Sequence, residues 1–580
     1  MSKTLQFDKA LAEYFAKLEL DEKGGQWRIC RFSGEKFYVR PEDIEFYKKI
    51  RVPLPTLLPK ERIRRKLAFG NGYNLFRITS ACSGKAIISQ YPPSTPFKVY
   101  EHRTWFGEEW NPMEYAKFYE PGRSFFEQFR KLQLEVPRPS LSVDNTSVNS
   151  DYTNTSSCLK NCYLVFDSLQ AEDSAYSLLL MSSRNCIDCF ATFNSDNCYQ
   201  CFESSKLYNC FFVEYARDCL DSAFLYDCRN CEHCFGCVNL RHKKYYFLNK
   251  PLSKEAYEEK IRAIRLGDRD VLEEWKRRFS EMASSAIRKE NHNERAFAST
   301  GDYIKNSKNC FSCFYMIGSE NTAYSVYSVK ARDLYDVVGG SETEYSYESY
   351  GGVKNYGMKF SHGTDMSRDV EYCDFCINCR DCFGCVGLKN KSFCIFNTQY
   401  SEKDYWALVD AIKTKMLRDG EYGEFFPPEL ASVPYNISYA TAYKGYDDIE
   451  IAARYGYHTE IIPETLQEAE GDMMDVKDLP CDIKEVGDEI LDKIIWDSVH
   501  KKKFKYIKSE LEFYRKYDLP LPWYHFSVRL ADKRKKFGTI ALEFYDRPCA
   551  KCGKIMHTPY TPDRPEKNIY CEACYLQEVV

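Results

Sequence analysis

Four cysteines near the C-terminus have the spacing of a structural zinc site. Two Cys-x2-Cys pairs, Cys549–Cys552 and Cys571–Cys574, are separated by eighteen residues. Two such pairs can place four thiolates around one tetrahedral zinc ion. Gly553 follows the first pair, where a tight backbone turn is required. We therefore predict that residues 549–574 fold around one structural zinc ion.

The two ends of the chain are related to each other. A shift of 467 residues aligns EFYKKIRVPLP, which starts at Glu45, with EFYRKYDLPLP, which starts at Glu512. The same shift places Cys82 on Cys549. We therefore expect related modules at both ends of the chain.

The N-terminal module has lost the residues that would bind zinc. Ser83, Glu101 and Thr104 stand where three ligands are needed, and Ser33 stands where Cys30 would need a second cysteine. We therefore expect no zinc in this module. Its core should instead depend on hydrophobic packing by Phe97, Tyr100 and Trp105.

A second duplication occupies the centre of the chain. A shift of 148 residues places Asn161-Cys162 on Asn309-Cys310, and the alignment runs without a gap from 161–265 onto 309–413. Repeats of this kind indicate a repeat architecture, which must be recognised before the fold is assigned. The chain thus consists of a terminal module, two related halves and a second terminal module.

Each half has an internal rhythm that predicts a parallel β-solenoid. Asn-Cys or Asp-Cys pairs recur at spacings of twelve, twelve, nine and nine residues, with short β-rich stretches between them. We expect coils of about 18–24 residues in which like side chains stack. Ser253 and Ser401 should each be the N-cap of a helix that covers one half.

Twenty of the 27 cysteines lie between Cys158 and Cys394, and most of them suit packing better than ligation. In the second half Leu334 replaces Cys186, a change that a buried apolar position tolerates and a metal site does not. One run is retained in both halves and leaves two alternatives open, a second metal site or a ladder of buried thiols. It consists of Cys228, Cys231, Cys234, Cys237, Cys376, Cys379, Cys382 and Cys385.

The predicted fold is mainly β with α. It is a duplicated parallel β-solenoid with a cysteine-rich ladder and capping helices, flanked by two related zinc-ribbon-like modules. We divide the chain into 1–135 (the N-terminal module with degraded metal sites), 150–295 (the first half with its capping and bridging helices), 300–427 (the second half with its capping helix), 428–498 (an acidic linker region) and 499–580 (a basic segment and the zinc ribbon).

Both terminal modules carry a basic segment. Residues 47–77 hold nine Lys or Arg and one acid, and residues 499–536 hold twelve and four. Lys and Arg clustered on a small rigid module are typical of nucleic-acid binding. We select as candidate nucleic-acid-binding residues Arg62, Arg64, Arg65, Lys66, Lys501, Lys502, Lys503, Lys533, Arg534, Lys535 and Lys536.

Overall composition is that of a globular protein. Hydrophobic residues make up 44% and charged residues 29% of the 580, and the formal net charge is −4. The N-terminal segment is an amphipathic helix, and no stretch approaches the ~20 apolar residues that a membrane helix needs. We therefore expect a cytoplasmic protein without a membrane partner, whose cysteines are thiols or metal ligands.

In combination, these motifs resemble a known family. EFYKKIRVPLPTLLP, GKAIISQYPPSTPFKVY, the repeated NCY and FGCV units and YTPDRPEKNIYCEACYLQEV are similar to cysteine-rich zinc-ribbon repeat proteins of candidate-phyla bacteria. The resemblance covers nearly the whole chain. It implies the domain order and zinc at Cys549, Cys552, Cys571 and Cys574, and it implies no particular function. PTLLPKERI and PLPWYHF stand where related chains often have a Cys-Pro knuckle.

Three functions remain open at this point. The first is binding of RNA or the ribosome by both basic modules at the ends of a rigid rod, without catalysis. The second is a scaffold that binds another protein along the solenoid. The third is an enzyme that uses groups such as His362 and Asp365, or an iron–sulfur redox protein. We expect the first.

Overall fold

The protein combines helices with many short, mostly parallel strands. The computed structural model describes residues 3–461, 471–538, 542–564 and 566–580, and describes 534–538 through their helical backbone alone. The helices are α1 Leu5–Ala16, α2 Pro41–Ile50, α3 Pro59–Leu67, α4 His102–Phe106, α5 Phe125–Glu135, α6 Lys254–Ala263, α7 Arg269–Ser285, α8 Glu402–Asp419, α9 Ile449–Arg454, α10 Lys508–Lys516, α11 Phe526–Gly538 and α12 Glu572–Val579.

The parallel strands form two blocks, which we call the first stack (β7–β16) and the second stack (β18–β28). The N-terminal strands are β1 Gln26–Ile29, β2 Lys36–Val39, β3 Phe76–Thr79, β4 Ala86–Ser89, β5 Val99–Tyr100 and β6 Arg138–Pro139. The first stack contains β7 Tyr163–Phe166, β8 Ala175–Met181, β9 Arg184–Ile187, β10 Phe190–Phe193, β11 Asp196–Tyr199, β12 Phe202–Glu214, β13 Arg217–Tyr226, β14 Glu232–Val238, β15 Lys244–Phe247 and β16 Lys250–Pro251, and β17 Arg288–Lys289 follows it.

The second stack contains β18 Glu294–Phe297, β19 Gly301–Phe311, β20 Cys313–Ile317, β21 Glu320–Ala323, β22 Val326–Val329, β23 Arg332–Val338, β24 Glu344–Tyr350, β25 Arg368–Glu371, β26 Arg380–Phe383, β27 Ser392–Ile395 and β28 Thr398–Gln399. The remaining strands are β29 Met473–Asp475, β30 Ile494–Asp497, β31 Lys502–Phe504, β32 Tyr545–Pro548, β33 Ile555–Thr558 and β34 Ile569–Tyr570. The last strand of each stack, β16 or β28, is antiparallel to its neighbour.

Between the parallel strands of the first stack, and from β19 onward in the second stack, a residue pairs with the residue twelve positions further along the chain; β18 pairs with β19 at an offset of eleven. Cys186 pairs with Cys198, and Cys198 pairs with Cys210, in parallel register. The same spacing joins Cys382 to Cys394 in the second stack. One turn of the chain therefore takes twelve residues, so the longer coil that the sequence spacings predict is wrong.

A left-handed backbone residue at every third position explains this short turn. Positive φ angles occur at Glu203, Lys206, Asn209, Phe212, Tyr215, Asp218, Asp221, Phe224, Asp227, Asn230 and His233. Each such residue bends the chain sharply, and Asn and Asp tolerate this conformation better than other non-glycine residues. The Asn-Cys and Asp-Cys pairs thus place a bending residue directly before a residue that points inward.

Cysteine and serine side chains, together with aliphatic ones such as Leu180 and Leu334, fill the interior of each stack. Cys186, Cys198 and Cys210 are fully buried, and Ser174 and Ser222 continue their column one turn before and one turn after them. The Cys186 thiol donates to the carbonyl oxygen of Arg184, with an S···O distance of 3.3 Å. Cysteine and serine at these positions thus find a hydrogen-bond acceptor in the backbone, which keeps the buried polar atom satisfied.

Each terminal module contacts the stack that is farther from it along the chain: the N-terminal module contacts the second stack, and the C-terminal module contacts the first. In the N-terminal module, Asp43 of α2 accepts a hydrogen bond of 2.8 Å from Tyr324 of the second stack. In the C-terminal module, Glu510 of α10 accepts one of 2.6 Å from Tyr176 of the first stack. The shift of 467 residues carries Asp43 onto Glu510, and the shift of 148 residues carries Tyr176 onto Tyr324. The two contacts are therefore related by an internal pseudo-symmetry.

The predicted helix caps are confirmed. The Ser253 side chain accepts from the backbone N–H of Ala256 at the start of α6, and Ser401 accepts from that of Asp404 at the start of α8. Within the predicted acidic linker, the described residues 428–461 and 471–498 contribute buried side chains such as Tyr435 and Ile483. Residues 462–470 of that region lie outside the described part of the chain. No helix among the described residues is long and apolar enough to cross a membrane.

Candidate metal centre and nucleic-acid interface

The first cysteine pair of the C-terminal module lies in the turn of a β-hairpin. Strands β32 and β33 are antiparallel, and Cys549 follows β32 directly. The backbone N–H of Cys549 donates to the carbonyl of Lys554 (2.8 Å), and that of Gly553 donates to the carbonyl of Cys549 (2.9 Å). Gly553 has φ +75°, which an L side chain rarely adopts. The predicted tight turn at Gly553 is therefore confirmed.

The second pair comes from the start of α12 and completes a cluster of four sulfurs. The Sγ atoms of Cys549, Cys552, Cys571 and Cys574 all lie within 4.8 Å of one another. Those of Cys552 and Cys571 are 3.8 Å apart. Four sulfurs at about 2.3 Å from a central ion in a tetrahedron would be about 3.8 Å apart. The group could therefore hold a metal ion.

Backbone donors prepare one of these thiols to act as a ligand. Burial acts to raise the pKa of Cys549, but N–H groups of Cys552, Cys571 and Lys551 outweigh it and lower the pKa to about 6. The N–H of Cys571 lies 3.3 Å from the Cys549 sulfur. The thiolate is the form that binds metal, so these donors favour ligation.

The structure corrects the alignment of the N-terminal module. Ser80, and not Cys82, is the equivalent of Cys549, since its N–H donates to the Lys85 carbonyl (2.8 Å) in the same hairpin turn. Gly84 repeats the role of Gly553, with φ +71°. The exposed Cys82 thus lies beside the former ligand position and not in it.

Oxygen atoms replace sulfur at three positions of this N-terminal site. The Ser80 hydroxyl donates to Glu101 with an O···O distance of 2.6 Å, and the Ser83 hydroxyl also donates to Glu101. Burial acts to raise the pKa of Glu101, but these two hydroxyls lower it overall. The turn is therefore held by hydrogen bonds from hydroxyls to a carboxylate. Cys30 lies in another turn of this form, with Gly34 at φ +74°.

A fourth turn of the same form lies at residues 497–501, and sequence reasoning missed it. His500 Nδ1 lies 2.9 Å from one carboxylate oxygen of Asp497. The backbone N–H of His525 lies 3.4 Å from the same oxygen, just as the backbone N–H of Cys571 lies close to the Cys549 sulfur. The shift of 467 residues, which places Cys30 on Asp497, was the signal that could have revealed it.

The cysteines of the stacks are not gathered into a metal cluster. Among the described residues, the Cys549 group alone brings three or more Cys, His, Asp or Glu ligand atoms within 4.8 Å of one another. The metal alternative for the repeated run therefore has no geometric support. All eight are buried and lie along the interior: Cys228, Cys231, Cys234, Cys237, Cys376, Cys379, Cys382 and Cys385.

The basic segment on α3 is buried, which corrects one part of the predicted nucleic-acid surface. Arg62, Arg64, Arg65 and Lys66 are at most 2% exposed. Arg62 pairs with Asp336, Arg64 with Glu61, Arg65 with Glu348 and Glu424, and Lys66 with Glu348. A cation that is buried against a carboxylate is not available to phosphate, so this part of the prediction is wrong.

The C-terminal basic residues have different environments. Lys501 is exposed in the turn between β30 and β31, whereas Lys502 and Lys503 lie half-buried on β31. Lys533 on α11 pairs with the buried Asp188, at 2.7 Å, so it stabilises the docking on the first stack. The side chains of Arg534, Lys535 and Lys536 lie outside what the structure describes.

A cleft of about 590 Å³ lies beside β31, between the two terminal modules and the first turns of the first stack. Lys502, Lys503, Lys505, Arg77 and Arg529 contribute cations to its lining. Its aromatic side chains are Tyr73, Phe76, Tyr152, Tyr163, Tyr176, Phe504 and Phe526. The cleft thus combines positive charge with rings.

One carboxyl group faces this cleft. Burial raises the pKa of Glu510 to about 7, against the opposing attraction of Arg529 and a hydrogen bond from Tyr176. Glu510 therefore carries only part of a negative charge near neutral pH. Arg529 pairs with the buried Asp188, so Arg77 and the three lysines supply the positive charge of the cleft. Comparison of the chain with protein-family models, with curated proteins and with solved structures finds no match.

Proposed function

We propose that this protein binds nucleic acid, and RNA in particular, without catalysing a reaction. The cleft in which Lys502, Lys503 and Lys505 border aromatic rings is the observation that carries the proposal. Cations attract the phosphate backbone, and aromatic rings stack on unpaired bases without strong sequence preference. A single-stranded segment is therefore the form of RNA that this cleft suits, either free or in the ribosome, in the cytoplasm.

The metal proposed for the Cys549 group is zinc. Four cysteine sulfurs on two knuckles are the donor set of structural zinc sites, which have no open position for catalysis. The ion would join the β32–β33 hairpin to α12 and so complete a zinc-ribbon module, whose small core would otherwise be weak. The resemblance to cysteine-rich zinc-ribbon repeat proteins is compatible with this assignment.

The two stacks are proposed to be β-solenoids that act as a rigid core. The parallel register of twelve residues and the inward-facing column of Cys186, Cys198 and Cys210 support this reading. Within a stack, each turn pairs with the turns directly before and after it, as in other repeat proteins. The terminal modules then present the RNA cleft at a fixed place on this core.

The test measures binding of a fluorescein-labelled single-stranded 20-nucleotide RNA by anisotropy, from about 50 to 300 mM KCl. The variant Lys502→Gln/Lys503→Gln/Lys505→Gln should flatten the plot of log K against log salt by about 2, since each lost phosphate contact removes about 0.7. The matched control is Lys160→Gln/Lys206→Gln/Lys330→Gln, which removes three exposed lysines of the stacks.

Two results would refute the proposal. One is a wild-type protein that does not bind the RNA at the lowest salt concentration. The other is an equal change of slope in both triple variants, which would show nonspecific attraction. Sedimentation from a native lysate, with and without nuclease, then tests the association with the ribosome.

A further inference from the structure

A separate cavity of about 480 Å³ lies between the first stack, β17 and α12. Three arginines of the first stack, Arg217, Arg229 and Arg241, line one side of it. Arg288, Lys289 and Lys305 add three more cations. The lining thus gathers six cations in one half-open pocket of a protein whose formal net charge is −4.

The three arginines lie one above another. Arg217 pairs in parallel register with Arg229, and Arg229 pairs with Arg241, so each guanidinium starts from a neighbouring turn. Adjacent strands are about 4.8 Å apart, and like charges at that spacing repel each other. Asp227 pairs with Arg229 and Arg241, and Glu294 pairs with Arg217 at 2.7 Å. Two carboxylates therefore orient three arginines but do not neutralise them.

The remaining acids of the cavity do not remove the excess charge. Asp218 and Glu203 complete the carboxyl groups of the lining. Burial raises the pKa of Glu203 to about 8, and its oxygen lies 3.3 Å from the Tyr315 hydroxyl. This carboxyl therefore adds little negative charge at neutral pH. Lys289 pairs with Glu572 at 2.6 Å and Arg288 lies 4.0 Å from Glu566, so the excess positive charge belongs to the three arginines, which share Asp227 and Glu294.

A column of stacked rings borders the cations, and Tyr215 stands at its end, because Tyr303 also stacks on Tyr315 with ring centroids 4.4 Å apart. The His292 ring stacks on Tyr215 with ring centroids 5.0 Å apart, and on Tyr303 with centroids 4.3 Å apart. All three side chains line the cavity. A pocket of this volume with cations on one side and rings on another suits a ligand that has an anionic group and a planar group.

The internal duplication provides a control for the role of the arginines. A shift of 148 residues carries Tyr215, Arg217 and Arg229 onto Gly363, Asp365 and Ile377. These three line a smaller cavity, of about 280 Å³, at the pseudo-equivalent place on the second stack. The shift carries Arg241 onto Lys389, so the same fold is built there with one of the three cations. Architecture alone therefore does not require Arg217 and Arg229.

We propose that the cavity beside Arg217, Arg229 and Arg241 binds a nucleoside phosphate, either free or at the end of a nucleic-acid strand. Guanidinium groups in a fixed array recognise phosphate oxygens through charge-assisted hydrogen bonds. The ring of Tyr215, which ends the column by stacking on His292, offers the base a surface. This proposal is independent of the RNA cleft beside β31, because the two sites share no lining residue.

The test is isothermal titration of the full chain with AMP, adenosine and inorganic phosphate. AMP should bind more tightly than phosphate, and adenosine should bind at least tenfold more weakly than AMP. The variant Arg217→Gln/Arg229→Ile should lose at least tenfold in AMP affinity. It should fold, since isoleucine occupies the second position in the pseudo-equivalent cavity and Asp227 keeps Arg241 as its partner.

Arg184→Gln is the matched control, since this arginine lies exposed on the same stack outside the cavity. The proposal is overturned if wild-type protein binds neither AMP nor phosphate, or if the cavity variant and the control lose the same affinity. RNA hexamers with a 5′-phosphate or a 5′-hydroxyl separate the two sources of the ligand. Tighter binding of the phosphorylated hexamer than of AMP assigns a strand end, and the reverse order assigns a free nucleotide.

Discussion

The buried charges of α3 allow a quantitative test of why this basic segment exists. Glu348 is fully buried and accepts from Arg65 at 2.9 Å, while Lys66 Nζ lies 3.3 Å from its other oxygen. Arg65 has Glu424 as a further partner at 3.0 Å. Glu348→Gln therefore leaves Lys66 buried without its carboxylate, whereas Arg65 keeps one.

Removing one member of a buried ion pair typically costs about 3–5 kcal/mol, because the remaining charge has neither water nor a partner. We expect Glu348→Gln to lower the free energy of unfolding by about that amount. Replacing both members with neutral groups of similar size is often close to neutral. The double variant Lys66→Met/Glu348→Gln should therefore recover most of the free energy of unfolding that Glu348→Gln alone loses.

The assay is urea unfolding followed by intrinsic fluorescence, with all variants at one protein concentration. Asp196→Asn is the control, because it breaks the exposed pair with Arg184 on the first stack and should give no measurable change. If Glu348→Gln is as stable as Asp196→Asn, the reasoning from burial is refuted. Lys66→Met is measured as the second single variant. If the double variant loses as much free energy of unfolding as the two single variants together, the two charges are not coupled.

Two further predictions concern the metal centre and the response to acid. Wild-type protein should contain one zinc per chain by elemental analysis; Cys552→Ser should lose it and Cys82→Ser should keep it, and retention in both would refute the assignment of the four-cysteine site. Burial acts to raise the pKa of Glu424, but Arg65, Arg31 and Thr56 lower it to about 2 from its ordinary 4.5. Its contribution, about 3 kcal/mol, is present above pH 4.5 and lost as the pH falls towards 2. Glu424→Gln should make unfolding between these pH values less dependent on pH, and an unchanged dependence would contradict the assignment.

Local chemistry was readable from the sequence wherever the interacting residues are close along the chain. The Cys549 and Cys571 pairs, the glycine between them and the serine caps of α6 and α8 all follow from short spacings. The duplications also led to the division into modules and repeats. All of these features are visible as short spacings or as repeated segments in the amino-acid sequence itself.

The burial of α3 could not be read in this way. Its basic run has the composition of a solvated surface, and the carboxylates of Asp336 and Glu348 lie more than 270 residues away. The length of the repeating turn was missed for a different reason. Every third residue points inward, so cysteines can recur at any multiple of three. A spacing of twelve joins equivalent positions in adjacent turns, whereas a spacing of nine joins two different sides of the turn, and the two cannot be told apart from the spacings alone.

Because the N-terminal module packs on the second stack, it cannot complete its contacts until that later part of the chain has been synthesised. Asp43 leaves the ribosome 281 residues before Tyr324, the side chain that it must meet. At about 5–20 residues per second, the N-terminal module waits roughly 15–60 s for its partner. During that interval the apolar face of α2, which later packs against the second stack, is uncovered. The nascent chain therefore has a period of vulnerability to aggregation that ends only when its second half has been made.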